Sequence, residues 1–277
     1  MYTEHLRIPV GAGSLHVERV GRAGPAVALL HGFGSCSFLW RAVAPRLADA
    51  GYTALSIDLM GHGESDRPVD GSYGLGAQAE YVERALTALR LAEVTIVGQD
   101  MGALVGLLVA AQRPERLAKL ALLEPLDPDD LPGLAIRSLQ RTSALSALTA
   151  NALFGARPLL EPFLRDAVVD PAHMPDLLVA RYLAPFVGSG GAAQLLQRAS
   201  AVTLSSDERQ RLGDVRGDVL LWTGAQEADD DLAARIEHWR GVLPLASVRP
   251  IAVRPCGTLV AEDAPAALVS ALLAWIA

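Results

Sequence analysis

Short apolar runs alternate with helix-length segments along the first 123 residues, and this alternation leaves few folds open. Leu15 to Val20, Ala26 to Leu30, Thr53 to Ile57, Val94 to Val97 and Leu117 to Leu123 are rich in branched residues, as strands are. Between them, Phe38 to Ala50, Leu75 to Leu91 and Ala103 to Gln112 carry helical spacing; Gly51 stops the first and Pro114 follows the last. Strands that alternate with helices predict a mostly parallel sheet covered on both faces.

The rhythm breaks after Leu123. From Pro125 to about Leu212 no segment reads as a strand, and prolines recur at 125, 128, 132, 158, 162, 171, 175 and 185. Helical runs such as Ile136 to Leu148 and Ala192 to Ala201 fit an inserted helical cap. The earlier pattern resumes with strand Val219 to Trp222, helix Asp231 to Trp239, strand Val248 to Val253 and helix Pro265 to Ile276. The expected organisation is one α/β core, 1–125 and 213–277, interrupted by a helical cap over 126–212.

Composition narrows the partners. The net charge is −7 and Lys119 is the sole lysine, with no arginine cluster, which argues against nucleic acid. No span approaches the roughly eighteen apolar residues of a membrane helix, and the opening residues show no secretory pattern. Cys36 and Cys256 are too few for a disulfide framework and lack metal-ligand spacing, so a reducing, cytoplasmic compartment is expected. No phosphate-binding loop or metal-ligand spacing is present, so neither cofactor nor metal is expected. Oligomeric state has no signal.

The strongest local signal is Val97-Gly98-Gln99-Asp100-Met101-Gly102, between an apolar strand and a helix. Glycines on both sides permit a sharp turn that lifts Asp100 above the sheet, where a nucleophile or base would stand. Asp100 as a plain helix cap is the competing reading. His31-Gly32-Phe33-Gly34 follows the strand ending at Leu30 and can aim the Phe33 N–H at the same point as that of Met101, giving two convergent donors for an oxyanion. Asp58-Leu59-Met60-Gly61-His62-Gly63-Glu64-Ser65 closes the next strand in a tight loop.

In this order, with the insert, Leu221-Trp222-Thr223-Gly224-Ala225-Gln226-Glu227 and Pro255 to Pro265 following, the chain resembles the α/β-hydrolase superfamily, capped branch, essentially end to end. Aspartate at the elbow resembles epoxide hydrolases and haloalkane dehalogenases, whose aspartate forms an alkyl ester that a histidine-activated water cleaves. The resemblance implies Asp100 as nucleophile, Phe33 and Met101 as oxyanion donors, Glu227 as the acid and Tyr182 as the cap's proton donor. His31, Trp40 and Thr258 are expected to line the site.

Two departures stand out. Where the superfamily places its histidine, this chain reads Cys256-Gly257-Thr258-Leu259, so the position is Thr258. Beside Asp100, where dehalogenases carry a halide-holding tryptophan, it has Met101. Without imidazole at that position an ester would not turn over by the usual route. The expectation is an epoxide-hydrolase-like enzyme acting on a small hydrophobic substrate without hydrolysis, through epoxide opening, cyclisation or C–C bond formation. Superfamily members in bacterial natural-product and antibiotic biosynthesis are known for such steps. Asp100 would then be base or anchor, with Glu227 or Tyr182 as proton donor. The alternatives are a true epoxide hydrolase with its base relocated to His173 or to a carboxylate-bound water, and a non-catalytic binding protein for a small hydrophobic molecule.

Overall fold

A computed structural model of the chain describes residues 3–141, 155–188, 190–224, 229–253 and 255–277. Its strands are β1 (Thr3–Pro9), β2 (Ser14–Val20), β3 (Ala26–Leu30), β4 (Thr53–Ile57), β5 (Val94–Gln99), β6 (Leu117–Leu123), β7 (Gly217–Gly224) and β8 (Ala246–Val253). They form one sheet in the order β1-β2-β4-β3-β5-β6-β7-β8. The first two pairings, β1 with β2 and β2 with β4, are antiparallel, and all the rest are parallel. Every residue of β3 and β5 is buried, as expected of central strands covered on both faces.

From β3 the chain crosses to β4 on one side and later returns to β5 on the other. The carboxyl ends of β3 and β5 therefore open onto a topological switch point, the natural crevice of a parallel sheet. The helix that leaves β5, α3 (Met101–Gln112), packs against α2 (Leu75–Ala88) and against strands β5 and β6. It is apolar all round and buried from Met101 to Ala110. Gly106 lets it settle onto β5, because a Cβ there would stand 2.9 Å from Ile96 Cγ2.

The expected elements are present with shifted ends. Phe38 to Ala50 is not one helix but a 3-10 turn, Ser37–Trp40, followed by α1 (Ala44–Asp49). Pro45 explains the break, since its ring is tolerated only in a helix's first turn. Between β6 and β7 the described residues form helices and no strand: a helical segment 134–141, then α4 (Arg157–Asp166), α5 (Asp176–Leu183), α6 (Gly191–Ser200) and α7 (Ser206–Leu212). Of the helix expected over Ile136 to Leu148, the part beyond residue 141 lies outside the described residues. After β7 come α8 (Asp229–Val242), β8, the short α9 (Val260–Asp263) and α10 (Pro265–Ile276).

Arg198 docks α6 on the core. Its Nε donates to the Gly61 carbonyl at 2.8 Å, its Nη1 donates to Gln194 at 2.6 Å, and its guanidinium lies 4.6 Å from the Tyr73 ring centre. Burial lowers its pKa from the usual arginine value. Truncating so buried a hydrogen-bonding cation costs about 1.5–3 kcal/mol. Arg198→Met is expected to speed limited proteolysis within 155–212 several-fold while the remaining core persists; wild-type cleavage rates would contradict this docking role.

Candidate active site

The turn after β5 is a single residue. Asp100 sits at φ 54°, ψ −121°, a left-handed conformation that costs energy for any side chain but glycine. Backbone proximity forces both flanking glycines. A Cβ at Gly98 would meet the Gly102 carbonyl oxygen at 2.3 Å, and one at Gly102 would meet the Leu30 and His31 carbonyl oxygens at 2.5 Å. A third glycine belongs to the same contact: a Cβ at Gly32 would stand 2.7 Å from Asp100 Cβ. The turn after β3 is thereby pressed against the elbow.

That contact brings two N–H donors to one oxygen. The Phe33 amide donates to Asp100 Oδ1 at 3.0 Å, and the Met101 amide donates to the same atom. Among the described residues no hydrogen bond is recorded to Oδ2. Asp100, half-buried, lines a cavity of about 780 Å³. Burial pushes its pKa up to about 6, against the opposing pull of the two amides. A carboxylate in this setting can exchange a proton near neutrality through its free oxygen.

The cavity lining differs in chemistry along the chain. Between β6 and β7 it is largely apolar, including Ile136, Leu139, Leu159 and Phe163. The lining also includes Arg235, His238 and Trp239 from one face of α8, together with the acids Glu124 and Asp127 that follow β6. Arg235 donates to Glu124 Oε2 at 2.8 Å, and His238 Nε2 lies 3.0 Å from Asp127 Oδ1. Cys256, Gly257 and Thr258 complete the lining. Burial pushes the Cys256 thiol up to about 12, which keeps it neutral and unreactive.

Of the expected site residues, Asp100 and Thr258 line this cavity, and the Phe33 and Met101 amides meet on Asp100. The Thr258 hydroxyl is 3.5 Å from the Ala167 carbonyl. Glu227 falls outside the described residues. The other expected residues do not line the cavity. Trp40 is fully buried in the core. His31 lies behind the oxyanion turn, where its Nε2 accepts from the Leu59 amide at 3.0 Å and its Nδ1–H donates to Gly32 O at 2.8 Å. Tyr182 donates its hydroxyl to Glu262, which also forms two 2.7 Å bonds with Arg41. A buried carboxylate needs its acceptors filled, and the tyrosine meets that demand away from the cavity. His173 is bound outside as well, with Nδ1 2.7 Å from Asp263 Oδ1.

Two lining residues carry chemistry that the sequence reading did not single out. His238 reaches the cavity because Arg235, His238 and Trp239 share one helical face. Glu124 follows β6 at φ 44°, buried and in the next strand position to the elbow: the Asp100 amide donates to Leu123 O at 2.9 Å. The available signal was Leu122-Leu123-Glu124-Pro125, an acid directly after a buried strand.

Comparison with known proteins agrees with the fold. The family model described as alpha/beta hydrolase fold matches residues 25–265, and the chain belongs to that family. A haloalkane dehalogenase from Mycobacterium marinum is 38% identical over 121 residues, 43% of this chain and 39% of that protein. The match thus spans about two fifths of that relative. Among solved structures, Cfl2 from Burkholderia cenocepacia superposes with a TM-score of 0.82 at 28% identity, covering 99% of this chain and 96% of that one. The epoxide hydrolase CorEH gives 0.76 at 21% identity, covering 99% and 98%, a likeness of fold. No helix among the described residues is long and apolar enough to cross a membrane.

The raised Asp100 pKa has a stability consequence of definite sign. The folded state holds this proton more tightly than the unfolded chain, so its stabilising contribution is complete below about pH 4 and is lost as pH rises through about 6. Asp100→Asn keeps an Oδ1 acceptor for both amides and removes the charge. It is expected to be more stable than the wild type at pH 8, by on the order of 2 kcal/mol, with the difference vanishing near pH 4. Denaturant unfolding across that range checks this, and a pH-independent difference would contradict it.

Proposed function

We propose that the protein is an epoxide-hydrolase-like enzyme that converts a small hydrophobic molecule at Asp100 without adding water. The observation that carries this reading is a carboxylate with one oxygen fixed by two amides and the other without a hydrogen bond among the described residues, lining a largely apolar cavity that Thr258 also lines. Thr258 is taken here to stand where relatives place their histidine, and a threonine hydroxyl cannot activate water near neutral pH. Residues 126–212 are read as the cap that shapes the cavity.

The chemistry follows from Oδ2. It removes a proton from a hydroxyl or acidified carbon of the substrate, and the pair released attacks an epoxide carbon of the same molecule. The C–O bond that breaks leaves its electrons on the epoxide oxygen, which takes the proton back from Asp100. The result is a ring closure or C–C bond with no net gain or loss of atoms. A carboxyl titrating near 6 suits both halves, being basic enough to accept and acidic enough to return the proton. The cyclisation class fits the biosynthetic setting expected from the sequence.

The test is incubation with hydroxy-epoxides in water enriched in oxygen-18. The expected product has the substrate's mass and no label, and kcat/KM rises with pH through an apparent pKa near 6. Asp100→Asn should lower turnover by about 100-fold or more. A labelled diol would overturn the reading.

A second reading, an epoxide hydrolase with a relocated base, draws support from one placement: His238, held by Asp127, lines the same cavity. It predicts labelled diol in the wild type and loss of that diol in His238→Gln. Introducing the imidazole directly separates the two. On the first reading, Thr258→His confers diol formation on a chain that lacks it; on the second, the wild type already forms diol.

A further inference from the structure

Away from the cavity, the β1–β2 hairpin gathers a second group of chemically capable side chains. We propose that His5, His16 and Glu18, with Glu64 at the rim, bind a divalent transition-metal ion of the Zn²⁺ class. His5 pairs directly with Glu18 across the antiparallel ladder, and His16 is two residues from Glu18, so all three project from one face. One ligand atom from each lies within 4.8 Å of the others. The Glu64 carboxylate, from the loop after β4, is 3.9 Å from His16 Nε2.

The group has the organisation of a metal site beyond its ligand types. His16 is buried, and its Nδ1 lies 2.8 Å from Oδ2 of the buried Asp58. Asp58 is itself fixed by the Ser37 amide at 2.6 Å and the Glu64 amide at 2.9 Å. This carboxylate–histidine pairing fixes the ring and directs Nε2 outward, the arrangement that commonly supports a ligating histidine. Nε2 is 3.0 Å from His5 Nδ1 with the two rings nearly parallel, so one proton lies between the nitrogens. A cation can replace that proton once the exposed His5 rotates to turn its lone pair toward it.

Charge points the same way. Asp58, Glu18 and Glu64 surround the two imidazoles. Arg7 binds Asp66 and the Glu64 carbonyl, and Arg181 pairs with one oxygen of the Glu64 carboxylate at 3.5 Å. Two imidazole nitrogens with carboxylates favour zinc and its neighbours over magnesium or calcium, which take mainly oxygen.

The test uses the full-length, tag-free chain at pH 7.5, titrated with ZnCl2 by calorimetry and by competition with a chromophoric chelator. One equivalent should bind, with the melting temperature rising as zinc saturates the folded state. His5→Ala and Glu18→Gln, each confirmed folded by circular dichroism, should each weaken binding by about tenfold or more. His238→Gln should not, which separates this site from Asp127, Asp129 and His238, the other close grouping among the described residues. Absence of zinc binding, or affinity within about twofold of wild type in either hairpin variant, would overturn the proposal.

Discussion

The close approach of two backbone turns governs this site. The turn after β3 and the elbow after β5 meet through Gly32, Gly98 and Gly102, where any Cβ would collide with backbone or with Asp100 itself. Only at that separation can the Phe33 and Met101 amides share one carboxylate oxygen. The strained conformation of Asp100 persists because the buried strands and α3 hold it from below. The same contact uses Oδ1 alone and leaves Oδ2 without a hydrogen bond among the described residues. Fold, strain and reactivity therefore rest on one piece of packing.

A buried carboxylate without a cationic partner pushes its own titration toward neutrality. In an enzyme with a neighbouring imidazole, that tendency would be offset by charge. Among the described residues the groups that oppose this rise are two neutral amides, while on the α8 side Arg235 pairs with Glu124 and His238 with Asp127. On the proposed reading this is the functional difference within the family. The carboxyl becomes a proton carrier rather than an acceptor of water-derived oxygen, and the apolar insert wall keeps water from competing.

Much of this was legible in the chain. Strand β3 and helix α10 begin and end where composition and punctuation place them, because branched apolar runs and N-terminal prolines act locally. The elbow was legible for the same reason, since two glycines around an aspartate after an apolar strand have few conformations available. What the chain did not disclose depends on side-chain direction across long separations. Tyr182 was expected in the cavity, but it answers to Glu262 and Arg41, which no pattern near residue 182 announces. His238 and Glu124 enter the cavity through the facing of α8 and the end of β6, a matter of tertiary register. His5, His16 and Glu18 lack adjacent ligand spacing because their grouping is made by cross-strand pairing.

The most direct measurement of the central claim is a carbon-13 NMR titration of the Asp100 carboxyl in the free protein, assigned by its loss in Asp100→Asn. The account predicts a single transition with a midpoint near pH 6, uncoupled from any histidine ring titration. A midpoint at or below about 4, the ordinary aspartate value, would show a well-solvated or ion-paired carboxylate. It would contradict the account.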